Sequence, residues 1–215
     1  SAKRKLKVFE GFAGYGGATF GLMKANIPFK VVGFSEFDKD AIELYSYNFP
    51  DVKNWGDITQ INEKKLPNFD LFTGGFPCQP FSSVGKRLGE LDIRGTLFAD
   101  IVRICEFKQP KYILLENVKG LCVGKHKPTF EKIMTELHRI GYDTRYAILN
   151  SKDYGVPQTR ERLWIFGFLG KLPDGFIFEP PKVALNYKLK DFLDKEPDSK
   201  LYKTQKQIDR IKELH

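Results

Sequence analysis

At 215 residues, 41% of them apolar, the chain has material for one buried core and the composition of an ordinary globular domain. It contains no run of about 18 apolar residues and no apolar signal segment after Lys3-Arg4, which predicts an intracellular protein with no membrane span. A net charge of +8 favours a polyanionic partner, and the three cysteines Cys78, Cys105 and Cys122, without C-x-x-C spacing, argue against both a disulfide framework and a zinc site.

Short β-type runs alternate with helical periodicities, the pattern of a mostly parallel sheet covered by helices. The first strand is predicted over Leu6 to Phe9; a glycine-rich segment, Gly11 to Gly17, follows it and leads into a helix with Phe20, Leu22 and Met23. Val31 to Phe34 reads as a second strand, and Ala41, Ile42, Leu44, Tyr45 and Phe49 as the apolar stripe of the next helix. Asp70 to Thr73 is a third strand. The stretch Gly74 to Arg94, rich in Gly and Ser and without a clean period, reads as a long functional loop. Leu97, Ile101, Ile104 and Cys105 mark a helix, Tyr112 to Leu115 a buried strand, Phe130 to Ile140 a further helix and Leu163 to Phe168 a late strand. Beyond Gly170 prolines interrupt the pattern, and only two weak helical stretches, Leu189 to Leu193 and Gln205 to Leu214, remain.

Four places carry the residue types of chemistry. A glycine turn between strand and helix lets a ligand approach backbone N–H groups, and Glu36, at the end of the next strand, suits the paired hydroxyls of a ribose. The dinucleotide fingerprint fails, because G-x-G-x-x-G read from Gly14 lands on Thr19; this points away from NAD towards another adenosine compound. Tight packing alone would also explain the glycines. Second, Cys78 stands between Pro77 and Gln79-Pro80 directly after a buried strand. Held in a stiff loop, it suits a thiolate nucleophile, provided the site favours the anion of a thiol whose usual pKa is about 8.5. Cys105, on its helical stripe, reads as a small buried hydrophobe and Cys122 as structural. Third, Glu116-Asn117-Val118 places a carboxyl group at the carboxyl edge of the sheet, where α/β folds bind ligands; a helix cap or a salt bridge is its plainer explanation. Fourth, Gln158, Arg160 and Arg162 alternate where a strand begins and can share one face, either as a solvated edge or as a grip on a base or phosphate.

In this order and spacing the four elements resemble the cytosine-C5 methyltransferases. The matching segments are Phe12-Ala13-Gly14-Tyr15-Gly16-Gly17, Glu36, Gly56-Asp57-Ile58, Gly75-Phe76-Pro77-Cys78-Gln79-Pro80-Phe81-Ser82, Arg94-Gly95-Thr96-Leu97-Phe98, Glu116-Asn117-Val118 and Gln158-Thr159-Arg160-Glu161-Arg162, spanning Lys7 to Gly170. The resemblance implies a Rossmann-like S-adenosylmethionine-dependent methyltransferase fold, a mostly parallel sheet with helices on both faces. It implies that Phe12, Gly14, Gly16, Gly17, Glu36, Phe37, Asp57, Ile58 and Pro77 bind the cofactor: Glu36 holds the ribose hydroxyls, Phe37 lies against the adenine and Asp57 accepts from its amino group. Cys78 would add to C6 of a cytosine, Glu116 would engage N3 and the exocyclic amine, and Arg160 and Arg162 would hold the base and its backbone. Glu116 is then required to offer a proton near neutral pH, which a buried setting favours. Gln79, Ser82, Lys86, Arg87 and Gln158 are expected to contact substrate, with the Ser82 to Arg94 loop closing over a flipped nucleotide. No metal is implied; the product is S-adenosylhomocysteine, the partner double-stranded DNA and the setting bacterial cytoplasm, with restriction-modification systems as the usual context.

The resemblance stops short of the family's target-recognition region, Arg-rich helix and Gly-Asn segment, none of which is visible after Phe168. Residues 3–180 are therefore expected to form the catalytic and cofactor-binding domain, and 181–215 a linker and helical tail leading to a recognition region. A complementing subunit of a split enzyme is expected to supply that region, the alternative being that this chain is a fragment of a longer enzyme that carries it. The competing expectations are a tRNA-methylating member of the same family and a catalytically silent subunit that binds nucleic acid or a partner. The intact Cys78, Glu116 and Arg160 set speaks against the second, and the Gly75-Phe76-Pro77 lead with Ser82 against the first.

Overall fold

The computed structural model describes residues 4–77, 96–184, 186 and 204. The chain divides into two compact units, one built from Ser1–Asn150 and Arg160–Pro181, the other from Ser151–Thr159 and Lys182–His215.

The first unit holds a six-stranded sheet made of β1 (Leu6–Gly11), β2 (Phe29–Ser35), β3 (Leu71–Gly75), β4 (Tyr112–Val118), β5 (Tyr142–Asn150) and β6 (Glu161–Leu169), in the order β2-β1-β3-β4-β6-β5. β1 to β4 pair in parallel, whereas β6 runs antiparallel to both β4 and β5. The helices are α1 (Gly17–Lys24), α2 (Lys39–Asn48), α3 (Leu97–Lys108) and α4 (Lys127–Arg139).

Alternation along the strands sorts side chains onto two faces. Phe9, Phe72 and Ile113 lie in one register row and belong to a single core cluster with Ile101, Ile104 and Cys105 of α3 and Phe130, Ile133 and Leu137 of α4. Burying each of these large side chains contributes about 1.5–3 kcal/mol. On the opposite face Phe34 of β2 stacks on Tyr45 of α2 at 3.9 Å, and Glu10 of β1 bonds to Thr19 of α1. Helices therefore cover both faces, as a mostly parallel sheet requires.

Among the described residues the expected strands and helices up to β6 are present with shifted ends, and one strand was not anticipated. β3 extends through Gly74 and Gly75, and β4 continues through Glu116-Asn117-Val118, so the last three residues lie within a strand rather than after it. β5 is one of the two edge strands; the residues it buries, Tyr142, Thr144 and Ala147, include too few strong hydrophobes to announce a strand. The anticipated stripe on α1 is not buried, and the one on α2 is buried only in part. Thr19 is the residue α1 buries, leaving Phe20 and Met23 exposed, and α2 buries Ala41 and Tyr45 while Leu44 faces out. Both helices meet the sheet at the polar cluster around Glu10, to which α2 adds the stack of Tyr45 on Phe34.

In the second unit the Val183 N–H donates to the Asp153 carbonyl at 2.7 Å, and Lys182 pairs with the Asp153 carboxylate at 3.2 Å. The weak helical stretches expected over 189–193 and 205–214 lie outside the described residues.

Candidate active site

Strand register places the candidate residues along one edge. Gly11 pairs with Ser35 on one side and Gly74 on the other, Gly75 pairs with Glu116, and Val118 pairs with Arg162. These are the carboxyl ends of four parallel strands, the usual ligand crevice of such sheets. Because β6 runs the other way, its first residues reach the same edge, which is how a residue so late in the chain arrives beside Glu116.

One half of the edge is the glycine turn. Gly14 and Gly16 have φ of 53° and 85°, in the left-handed region that glycine tolerates, and a Cβ on Gly74 would come 2.9 Å from the Gly11 carbonyl oxygen. Glu36 holds this turn: one carboxylate oxygen accepts from the Gly14 N–H at 2.9 Å, and the other from the N–H groups of Phe37 at 2.8 Å and Asp38 at 3.0 Å. A carboxylate offers about four acceptor positions, so room remains for a hydroxyl donor. Phe37 beside it is 71% exposed, a free aromatic face suited to a purine. Asp57 spends one oxygen on the N–H and hydroxyl of Thr59, at 2.9 and 2.8 Å, and its second oxygen has no partner among the described residues. These groups fit an adenosine: hydroxyls to Glu36, ring to Phe37, amino group to Asp57. Ile58 differs from the expectation for it. Its side chain is packed into the core, so only its backbone is available to a ligand, and its carbonyl already accepts from Arg103 at 2.9 Å.

Three supporting residues were not anticipated. Glu10, 1% exposed, accepts from the N–H of Thr19 at 3.0 Å, from its hydroxyl at 2.6 Å and from the Tyr45 hydroxyl. It thereby caps α1 from the neighbouring strand, since Gly16 at the helix start has no side chain to do so. The same contacts explain why Thr19 stands where a dinucleotide fold has glycine. Burial, then the charge of Glu10, pushes the Tyr45 hydroxyl well above the usual tyrosine range. Asn54 clamps the backbone on both sides of the crevice, accepting from the N–H groups of Glu36 and Gly56 and donating to the Glu36 carbonyl at 3.1 Å. Arg103 fastens the segment after Asp57, donating to the carbonyls of Ile58 and Ile61. An acidic residue inside an apolar strand and an Asn two residues before a glycine were the available signals.

The other half is a cleft of about 600 Å³ whose lining includes Gly75, Phe76, Pro77, Glu116, Asn117, Arg160 and Arg162. Arg162 Nε lies 2.9 Å from a Glu116 oxygen, and both side chains keep about a quarter of their surface in contact with solvent, at 28% and 27%. Glu116 is thus less buried than expected, because it sits at a strand end facing the cleft. Asn117 donates to the Phe76 carbonyl at 2.7 Å and accepts from the Val118 N–H at 2.8 Å, which pins the chain two residues before Cys78. Cys78, Gln79, Ser82, Lys86 and Arg87 lie outside the described residues. The expected alternation of Gln158, Arg160 and Arg162 does not hold, since β6 begins at Glu161 and Gln158 belongs to the second unit. Arg160 precedes the strand, its N–H held by Asn150 at 3.2 Å, and still lines the cleft with Arg162. Cys105 is fully buried and its thiol pushed far up by desolvation, while Cys122 donates to the Lys119 carbonyl at 3.3 Å; neither is a nucleophile in waiting. Among the described residues no cluster of His, Cys, Asp and Glu is placed to hold a metal ion, and no helix is long and apolar enough to cross a membrane.

A largely parallel sheet with a glycine turn after its first strand, an acidic residue after its second and a carboxyl–guanidinium pair at its fourth defines a Rossmann-like methyltransferase domain. The family model described as C-5 cytosine-specific DNA methylase matches residues 6–215, and the chain belongs to that family. It is 46% identical over 164 residues to the Type II methyltransferase M1.ScrFI of Lactococcus lactis subsp. cremoris, covering 76% of this chain and 42% of that protein. It is 44% identical over 184 residues to the Type II methyltransferase M.HaeII of Haemophilus aegyptius, covering 86% of this chain and 56% of that protein. Among solved structures, the S. pombe Dnmt2 methyltransferase superposes with a TM-score of 0.77 at 27% identity, covering 97% of this chain and 67% of that one. The chain spans about half the length of these curated relatives.

Proposed function

We propose that the chain transfers a methyl group from S-adenosylmethionine to C5 of a cytosine flipped out of duplex DNA. The observation that carries this reading is the Glu116–Arg162 pair in a cleft that Pro77 also lines, one residue from the only proline-flanked cysteine of the chain. Cys78 adds as the thiolate to C6, which breaks the ring's conjugation, while Glu116 protonates or hydrogen-bonds N3 so that C5 becomes enamine-like. Arg162 orients Glu116, and Arg160 and Arg162 steady the base in the cleft. The bound cofactor supplies an electrophilic methyl on a sulfonium; Glu36, Phe37 and Asp57 hold its adenosine, and the glycine turn admits it. With the methyl received at C5, the C5 proton would pass to water as the thiolate is expelled, and Glu116 would take back the proton from N3. Gln79, Ser82, Lys86, Arg87 and Gln158 contact the DNA, and the base leaves the stack because it is out of reach inside a duplex.

Residues 3–180 carry this chemistry, and 181–215 lead into a recognition region supplied by further sequence or by a complementing subunit. The similarity to proteins named Type II methyltransferases supports a role in a restriction-modification system. The test is transfer of labelled methyl from S-adenosylmethionine to duplex DNA and, in parallel, to tRNA, with Cys78→Ser as control, for the chain alone and mixed with a complementing chain. Label at cytosine-C5 of DNA that vanishes with Cys78→Ser is expected. Turnover retained by Cys78→Ser removes the adduct, and label confined to tRNA moves the substrate to RNA.

A further inference from the structure

One part of the cleft rim takes no part in the chemistry above. Between β4 and α4 the chain makes two short turns, Lys119–Cys122 and Gly124–His126, and Gly120, Leu121 and His126 line the same cleft as Glu116, Arg160 and Arg162. There Lys125, His126 and Lys127 stand in succession, all exposed, after Gly124 at φ 58°. Lys119 is tied to Glu161 at 2.9 Å, but the side chains of Lys125, His126 and Lys127 make no ion pair or hydrogen bond among the described residues. They also crowd the first turn of α4, which holds no acidic residue and no side-chain cap. Basic groups at the positive end of a helix are unfavourable, the reverse of the arrangement that stabilises helices. A local rule broken without internal compensation marks a place where a partner supplies what is missing.

We propose that Lys125, His126 and Lys127 form a phosphate-contacting rim that holds the sugar–phosphate backbone of duplex DNA beside the flipped nucleotide. The proposal rests on the DNA-methylation reading and adds to it the surface that grips the strand. Unpaired lysines serve as point charges for phosphates without reading sequence, and a cleft with cations on its rim matches a nucleotide whose neighbours stay in the duplex.

The test measures duplex DNA binding by fluorescence anisotropy across a salt series, with the full chain and S-adenosylhomocysteine present. The double variant Lys125→Gln/Lys127→Gln is compared with wild type and with Lys24→Gln/Lys30→Gln, which removes equal charge at exposed positions elsewhere. Each phosphate contact contributes about −0.9 to the slope of log K against log salt, so the rim variant should be shallower by about 2. Affinity for S-adenosylhomocysteine should be unchanged, and the Lys24 and Lys30 control should keep the wild-type slope. Equal slopes for rim variant and wild type, or equal losses in rim and control variants, overturn the rim. Wild type that binds S-adenosylhomocysteine but no duplex DNA, both alone and mixed with a complementing chain, instead overturns the DNA reading beneath it.

Discussion

Arg162 on β6 lies diagonally across the strand pair from Glu116 on β4: Glu116 faces Trp164, and Arg162, two residues earlier, turns to the same face and brings its Nε to 2.9 Å from the carboxylate. A diagonal neighbour of this kind is within reach of long side chains only, which is why a guanidinium is needed here. Glu116→Gln is expected to lower the single-turnover rate of methyl transfer by at least about 10²-fold, the cost of losing a positioned acid. Arg162→Met should lower the same rate with little change in S-adenosylhomocysteine affinity. A near-normal rate in Glu116→Gln would place the proton donor elsewhere.

Gly75 is the strand partner of Glu116, and a Cβ there would stand 2.8 Å from the second carboxylate oxygen. Gly75→Ala should therefore displace Glu116 while leaving the sheet paired. A displacement of about 1 Å at a reacting group is enough to cost roughly 10²-fold in rate. Single-turnover kinetics beside a thermal melt separate the two effects; a large fall in melting temperature with an unchanged rate would contradict the argument.

Removing the carboxylate at Glu10 takes away the acceptor of the buried Thr19 N–H, Thr19 hydroxyl and Tyr45 hydroxyl, leaving only the 3.5 Å contact between the two hydroxyls. At about 1–3 kcal/mol for a buried group left unpaired, Glu10→Ala should cost several kcal/mol of folding stability and loosen the turn that admits the cofactor. Urea unfolding reports the first and S-adenosylhomocysteine binding the second. Glu10→Ala/Thr19→Val should lose less than the sum of the two single variants, as expected for side chains in one network.

Three buried acids set an alkaline limit. Burial raises Cys105, Tyr45 and Tyr142 above their ordinary values. For each, the folded state holds its proton to higher pH than the unfolded chain does, so above the unfolded values, about 8.5 for a thiol and about 10 for tyrosine, the folded state binds more protons and stability falls as pH rises. The urea midpoint should therefore be level below about pH 8 and decline above it, and Cys105→Ala should remove the earliest part of that decline. A midpoint flat to pH 11 would show that these groups do not titrate differently on unfolding.

The site was legible in the sequence wherever a residue type is tied to one chemical task. A glycine turn, an acid after the second strand and a carboxyl at the fourth were readable as such, and register brings them to one edge. Supporting contacts were not legible, because Glu10, Asn54 and Arg103 act through pairings distant in sequence: Glu10 meets Tyr45, and Arg103 meets Ile58 and Ile61. β5 was missed for a related reason. An edge strand that leans on one neighbour needs little apolar character, so Tyr142, Thr144 and Ala147 carry no period that stands out. Ile58 shows the opposite error, a motif residue whose side chain turned out to be core.

The reversal of β6 has an evolutionary side. By returning to the carboxyl edge at Arg162 it finishes supplying side chains to the proposed chemistry, and by Leu169 the strand has ended at the far side of the sheet. Among the described residues, those after Leu169 line no part of the cleft around Glu116. On the proposed reading, the segment after β6 can therefore change without moving Glu116, Arg162 or the glycine turn.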